Sequence, residues 1–311
     1  MPQHGNPFSR NDRFLDPRAI GDLPFENEHQ AKAAAHVQRA IAAARAHAAS
    51  TISLNSAAVV HGLPLVSGVP EHVHLISDVG RAGLRRGVVI HRLGLNEAEV
   101  SDGEPPVTSP ARTWVDITRT SSLADSLAVG DAGVRLGLFT VATLQELADE
   151  ASGRSCRRLR AASRIVNGMR ESPLESWSAA TFHRWELPMP REQVTIHDHH
   201  GNPIGRVDFL WDDVRVIGEA DGALKYREPS DLYREKRRED RFRSLGYQVI
   251  RWGWSDLAHP RELFETLWKA VGHSAMLTVP VPEYVPRQRS SSSWQTSSSS
   301  TNRTWRTSWI A

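Results

Sequence analysis

The feature that most narrows the fold is a stretch of period-two hydropathy between Arg191 and Asp221. REQVTIHD alternates, HHGNP interrupts, IGRVDFLW runs extended, Asp-Asp interrupts again, and VRVIGEADG follows. Side chains of a strand alternate between faces, and the interruptions carry turn-forming residues, so the stretch predicts a three-stranded antiparallel meander. Helix signals flank it. Ser172, Pro173 and Glu175 stand where an N-cap, a first helical residue and a capping-box acid belong. Ser230 is expected to cap a charged helix, SDLYREKRREDRFRSLG, which Gly246 closes; YQVIRWGW reads as a further strand and Pro260 as the start of a last helix.

The remainder of the 311 residues leaves room for a second domain at roughly 150 residues each. Residues 1–26 are rich in Pro, Gly, Asn and Asp, and the tail 276–311 is rich in serine, so both are expected to be disordered. Between them, the alanine-rich run from Asn27 to about Ala49 predicts one long helix. SLNSAAVVHGLP predicts a short one ended by Gly62 and Pro64, and residues 73–77 and 87–93 predict two strands that pair. Ser109 and Pro110 announce helices running to about Met169. The expected fold class is therefore α/β of the α+β kind. A mostly helical region with a small hairpin (27–170) precedes a mixed sheet flanked by helices (171–275).

Composition excludes several classes. With 40% apolar and 24% charged residues, and no apolar run near the ~20 residues of a bilayer span, a membrane protein does not fit. The first residues have no secretory h-region and Cys156 is the one cysteine, so a cytoplasmic protein without disulfides is expected. Net charge argues little for nucleic acid: residues 171–275 hold 15 basic and 18 acidic residues, a net of −3. Six arginines and no acid fall between Ala151 and Arg170, which reads either as a solvated face or as a phosphate-facing ridge.

The chemistry gathers in the meander. A tight hairpin centred on Asp212 and Asp213 sets Asp208 opposite Ile217, and alternation then turns Asp208, Glu219 and Asp221 to one face, with Glu219 about 7–8 Å away on the diagonal. Three carboxylates so placed suit a hard divalent cation and phosphoryl chemistry; the plainer reading is charge placed on a half-exposed sheet edge against aggregation.

Asp208, then Glu219 with Asp221, then Lys225 and a charged helix, resembles the PD-(D/E)xK nuclease superfamily over residues 172–273. VDFLW, GEADG, DRFRSLG and VIRW are similar to its branch related to very short patch repair endonucleases. The resemblance implies a restriction-endonuclease-like fold in which Asp208 and Glu219 bind Mg2+, with Mn2+ as a substitute. Asp221 occupies the slot of the usual lysine, a departure that leaves Lys225 as the expected replacement. Glu175 matches the acid that many members carry on the first helix, and is equally explained as a capping-box acid.

Arg241 and Arg251 are candidates for phosphate contacts, against salt bridges to neighbouring acids. Trp252 and Trp254, placed on one strand face, suit either base stacking or a core. His197, Asp198, His199 and His200 look like a metal cluster but fit a solvated turn better, and Cys156 has no catalytic context. Residues 50–170, through SLNSAAVVHGLP, VVIHRL and VTSPARTWVDI, are similar to the C-terminal part of AbiEi-type antitoxins, without the expected winged helix. That implies a protein partner from a toxin and antitoxin system. Two functions are expected from all this: a metal-dependent DNA endonuclease acting in repair, phage defence or a toxin and antitoxin context, or a non-catalytic DNA-binding regulator on a nuclease fold. RNA is a weaker substrate candidate.

Overall fold

The computed structural model describes residues 28–47, 49–153, 155–221 and 229–272. The expected disordered ends and Lys225 lie outside the described residues. The chain is of mixed α/β class, an α+β arrangement with helices around two mixed sheets.

Helix α1 (Glu28–Ala46) buries Ala34, Val37, Ala40, Ile41 and Ala44, a stripe at helical spacing whose small residues allow close approach to the first sheet. That sheet contains β1 (Ser50–Ile52), β2 (Val73–Ser77), β3 (Gly83–Arg85), β4 (Val88–His91), β5 (Val100–Ser101) and β6 (Val107–Thr108) in the order β3-β4-β2-β1-β6-β5. The two strands expected from the sequence do pair, but in parallel: His74 lies beside Val89. The hairpin is β3–β4, turned by Arg86 and Gly87, both at positive φ as a two-residue hairpin turn requires. Strands β1, β5 and β6 are two or three residues long, too short to leave a readable period, which is why a small hairpin was expected in place of six strands.

Helices α2 (Leu54–Val60), α3 (Pro110–Thr120), α4 (Leu123–Arg135), α5 (Val141–Glu150) and α6 (Cys156–Ile165) complete this half. As expected, Ser109 Oγ accepts from Arg112 N with Pro110 in the first turn. Leu159, Ala162 and Val166 are buried, whereas Met169 is exposed because α6 ends at Ile165 and its stripe does not reach that far. The arginine-rich segment is mostly structural. Arg158 donates to the carbonyls of Arg119 and Ser121, Arg160 reaches Ala151 O and Arg170 is buried; Arg157 and Arg164 are exposed.

The second sheet is β7 (Arg191–His197), β8 (Pro203–Trp211), β9 (Val216–Ala220) and β10 (Gln248–Trp252), in the order β10-β9-β8-β7, with β10 parallel to β9 and the others antiparallel. Helices α7 (Pro173–Arg184), α8 (Pro229–Ser244), α9 (Trp254–Ala258) and α10 (Arg261–Val271) flank it. Two starts differ from the expected ones. Helix α8 begins at Pro229, so Ser230 is inside its first turn, and Trp254 opens α9 instead of sharing a strand face with Trp252. Trp252 is a core residue: its ring stacks on Phe209, its Nε1 donates to Ser178 Oγ, and a Cβ at Gly218 would come within 2.5 Å of it. Gly218 thus makes room for an indole, not for a ligand.

Helix α7 serves both halves. Ala179 and Ala180 join the first core, Leu174 and Phe182 the second, and Trp177 packs against both. Beside it lies a buried charge network. Arg170 donates to Asp131 Oδ2 at 2.9 Å and through Nε and Nη2 to Glu192 Oε1; Ser176 Oγ and the amides of Asn167 and Gly168 also donate to Asp131. Among the described residues no helix is long and apolar enough to cross a membrane.

Two predictions follow from buried charge. Arg170→Ala strands two buried carboxylates and is expected to cost about 3–5 kcal/mol in urea unfolding; a loss below about 1 kcal/mol would show that the network contributes little. In the first half, His36 accepts from Arg39 at Nδ1 and meets Ser56 Oγ at Nε2, while His74 Nδ1 and His91 Nε2 are 2.9 Å apart. Burial, aided by Arg39 at His36 and by His91 at His74, holds both His36 and His74 down to about 4. On these two histidines the unfolded chain takes up protons first, so their contribution to stability is constant above about pH 6.5 and falls as pH drops from there to about 4. Replacing His74 with Gln should therefore raise the urea midpoint at pH 5 relative to that at pH 7.5.

Candidate active site

Of the acids predicted from the sequence, Asp208 and Glu219 come together across β8 and β9. The strands pair Phe209 with Gly218, Leu210 with Ile217 and Trp211 with Val216. Continued by one pair, this register sets Asp208 across from Glu219, two residues away from the expected partner Ile217. The cause is the connection. It is a 3₁₀ turn over Asp212–Val214 with Arg215 at φ 51°, a four-residue loop and not a two-residue one. A shift of two keeps the alternation in phase, so Asp208 and Glu219 are still brought together. Asp208 Oδ2 accepts from the Ala220 amide at 2.9 Å.

Glu219 is 4% exposed. Its carboxyl is pushed up to about 7, chiefly by burial and further by the charges of Asp208 and Asp221, with Arg238 and Arg251 pulling the other way. Glu175 arrives from α7. Ser172 Oγ caps the helix by accepting from the Glu175 amide and also donates to Glu175 Oε1, while the amide of Glu171, one residue before the cap, and Gln193 Nε2 donate to Oε2, so the expected capping box is not closed on Ser172 N. Burial raises its pKa and Asp208 adds to the rise, so the cap residue is also part of the acid cluster. Glu175 thus lies at the first turn of α7 and within reach of the charge of Asp208.

Asp221 accepts from Arg251 Nη1 at 2.9 Å, and Arg251 also bridges to Glu235 and Glu239. Arg251 is thus bound to acids rather than displayed for phosphate. Arg241 lies 3.5 Å from Asp198 and is half exposed. Asp198 in turn accepts from the amides of His200 and Asn202, so the histidine-rich stretch is a turn. Cys156 is a half-buried thiol at the first residue of α6.

Two side chains at the site escaped the sequence reading. Arg238 donates to Glu219 Oε1 at 3.2 Å, to Glu235 Oε1 at 2.8 Å and to Arg206 O at 2.9 Å. The signal was present: among the residues of the charged helix whose burial is described, Phe242 is the buried one, and Arg238 and Glu235 lie four and seven positions before it on the same stripe. Gln193, the residue of β7 across from Asp208, has φ 52°; its Nε2 donates to Glu175, and its Oε1 is buried without a hydrogen-bond partner among the described residues. No hydropathy pattern announces either feature of Gln193. A cleft of about 750 Å³ reaches Gln193 and is bordered by Arg164, Met169, Met189 and Arg191.

The donors suit a hard divalent cation in kind: Asp208, Glu219, Glu175 and Gln193 Oε1 all offer oxygen. Among the described residues, Arg238 bridges Glu219 and Glu235, Arg251 bridges Asp221, Glu235 and Glu239, and Asp208 acts on Glu175 and Glu219. Yet among those residues no three His, Cys, Asp or Glu side chains close on one point, because the arginines hold Glu219 and Asp221. The expected triple convergence is thus replaced by an acid pair with arginine counter-charges.

No family model matches the chain, and no solved structure does. It is similar to two uncharacterized proteins of Mycobacterium tuberculosis, MT2308 of strain CDC 1551 / Oshkosh and Rv2248 of strain H37Rv. Each is 28% identical over 201 residues, covering 63% of this chain and 72% of the relative.

The coupling of the acids is measurable. By carboxyl-carbon NMR, Glu219 is expected to titrate near pH 7, and Asp208→Asn to lower that value while leaving it above the ordinary glutamate range, because burial is the larger cause. A Glu219 midpoint unmoved by Asp208→Asn would contradict the coupling.

Proposed function

We propose that the chain is a metal-dependent endonuclease that hydrolyses phosphodiester bonds in DNA, with Mg2+ as its cofactor and Mn2+ able to replace it. The observation that carries the reading is that Asp208 lies close enough to both Glu175 and Glu219 to raise the pKa of each, so three acids of separate elements share one neighbourhood. Packing carboxylates together in a half-buried site costs stability, and such costs cluster at functional sites. The resemblance to PD-(D/E)xK nucleases points the same way.

In this reading Asp208 and Glu219 hold the cation, with Asp221 and Glu175 beside them. A divalent cation there supplies Lewis acidity that polarises a phosphoryl oxygen and lowers the pKa of water. Asp208 is held in place by the Ala220 amide, so its second oxygen is oriented without cost at the moment of reaction. Glu175, oriented by Gln193 and by the cap, is placed to hold a water next to Asp208. Without metal, Glu219 gains its full negative charge only above about pH 7, so a divalent cation competes with a proton there and its affinity should rise through that range. The exposed Arg164 beside the cleft favours a polyanionic substrate, whereas Arg191 is paired with Asp212.

One observation favours a second reading, a DNA-binding regulator or antitoxin that retains the fold without the chemistry: the residue in the lysine slot, Asp221, is an acid engaged by Arg251. Purified full-length chain incubated with supercoiled, linear and single-stranded DNA separates the two. Cleavage that needs Mg2+ or Mn2+, stops with EDTA and disappears in Asp208→Ala and Glu219→Ala is the expected result. DNA binding indifferent to EDTA and to both substitutions, with no cleavage, would replace the endonuclease by the regulator.

A further inference from the structure

The site has an acid where the resemblance places a lysine, and that acid is already spoken for by Arg251. The guanidinium that touches Glu219 is instead Arg238, from α8. Its placement is built in. A Cβ at Gly205 would come within 2.9 Å of Arg238 Cδ, so glycine there lets the arginine stem lie close against β8. Phe242 supports the guanidinium from below at 5.4 Å, and Arg206 O takes one of its N–H groups. Glu235 holds Nε and Nη2, so the contact to Glu219 can be given up while the side chain stays anchored. Its side chain is 25% exposed, which leaves one side open to an incoming group.

We propose that Arg238 is the catalytic cation of this chain: it neutralises Glu219 when no divalent ion is bound, yields Glu219 to that ion, and then presents its planar fork to the scissile phosphate. The proposal rests on the endonuclease reading above. A guanidinium and a divalent cation repel each other when they share a carboxylate, so the two compete for Glu219. Once released from Glu219, the guanidinium keeps its bonds to Glu235 and Arg206 O and has one further N–H on each of Nη1 and Nη2, an end-on fork that matches two phosphate oxygens. An arginine reached from a helix would thus supply what the strand position 221 does not.

The test compares wild type, Arg238→Gln and Arg238→Lys as full-length chains, with folding checked by circular dichroism and melting. Free Mn2+ is titrated by electron paramagnetic resonance at pH 8, where Glu219 is ionised, and cleavage of a DNA duplex is measured in parallel. Arg238→Gln is expected to bind Mn2+ about tenfold more tightly while kcat falls roughly 10²-fold with KM little changed. Arg238→Lys should recover part of kcat. Unchanged or weaker Mn2+ affinity in folded Arg238→Gln, or tighter affinity with kcat intact, overturns the proposal and leaves the endonuclease standing. If wild type neither binds Mn2+ nor cleaves, the endonuclease reading fails and Arg238 falls with it.

Discussion

The buried guanidinium of Arg170 is the contact on which the arrangement of the chain turns. From the segment before α7 it draws together Asp131 on α4 and Glu192 on the edge strand β7, and all three side chains are almost wholly shielded from water. A buried ion pair seldom gains much over an apolar substitute, but losing one partner leaves a charge with no solvent, so such a network selects one geometry strongly. The residue after Glu192 is Gln193, which grips Glu175, which senses Asp208. Misplacing β7 would therefore be felt at the acids.

At those acids the electrostatics are of the opposite kind. Around Arg170 both carboxylates are tied to the guanidinium by hydrogen bonds; around Glu219 burial and the carboxylates of Asp208 and Asp221 act together, and the glutamate holds its proton to about 7. The fold keeps one charged cluster closed by hydrogen bonds and sets acids against one another in the other.

Much of the second half was legible in the sequence because its signals are local. Alternation located β7, β8 and β9, Ser172 and Glu175 announced α7, and Gly246 ended the charged helix. Asp208 and Glu219 were paired in phase although the loop was misjudged, since an error of two residues does not change a face. What could not be read depends on tertiary contact. Arg238 is one arginine among many until α8 is laid against Glu219, and the short strands of the first sheet have no period to detect. Gln193 at positive φ is a choice made by the fold, not by residue type.

Helix α7 carries a consequence for how such a chain can be inherited. Its alanines are embedded in one core and its leucine and phenylalanine in the other. A recombination event that exchanged the second half at residue 171 would bring a foreign helix surface to the first half and a foreign partner for Arg170. The halves are thus bound to diverge in step, each constraining which substitutions the other can accept along that shared helix.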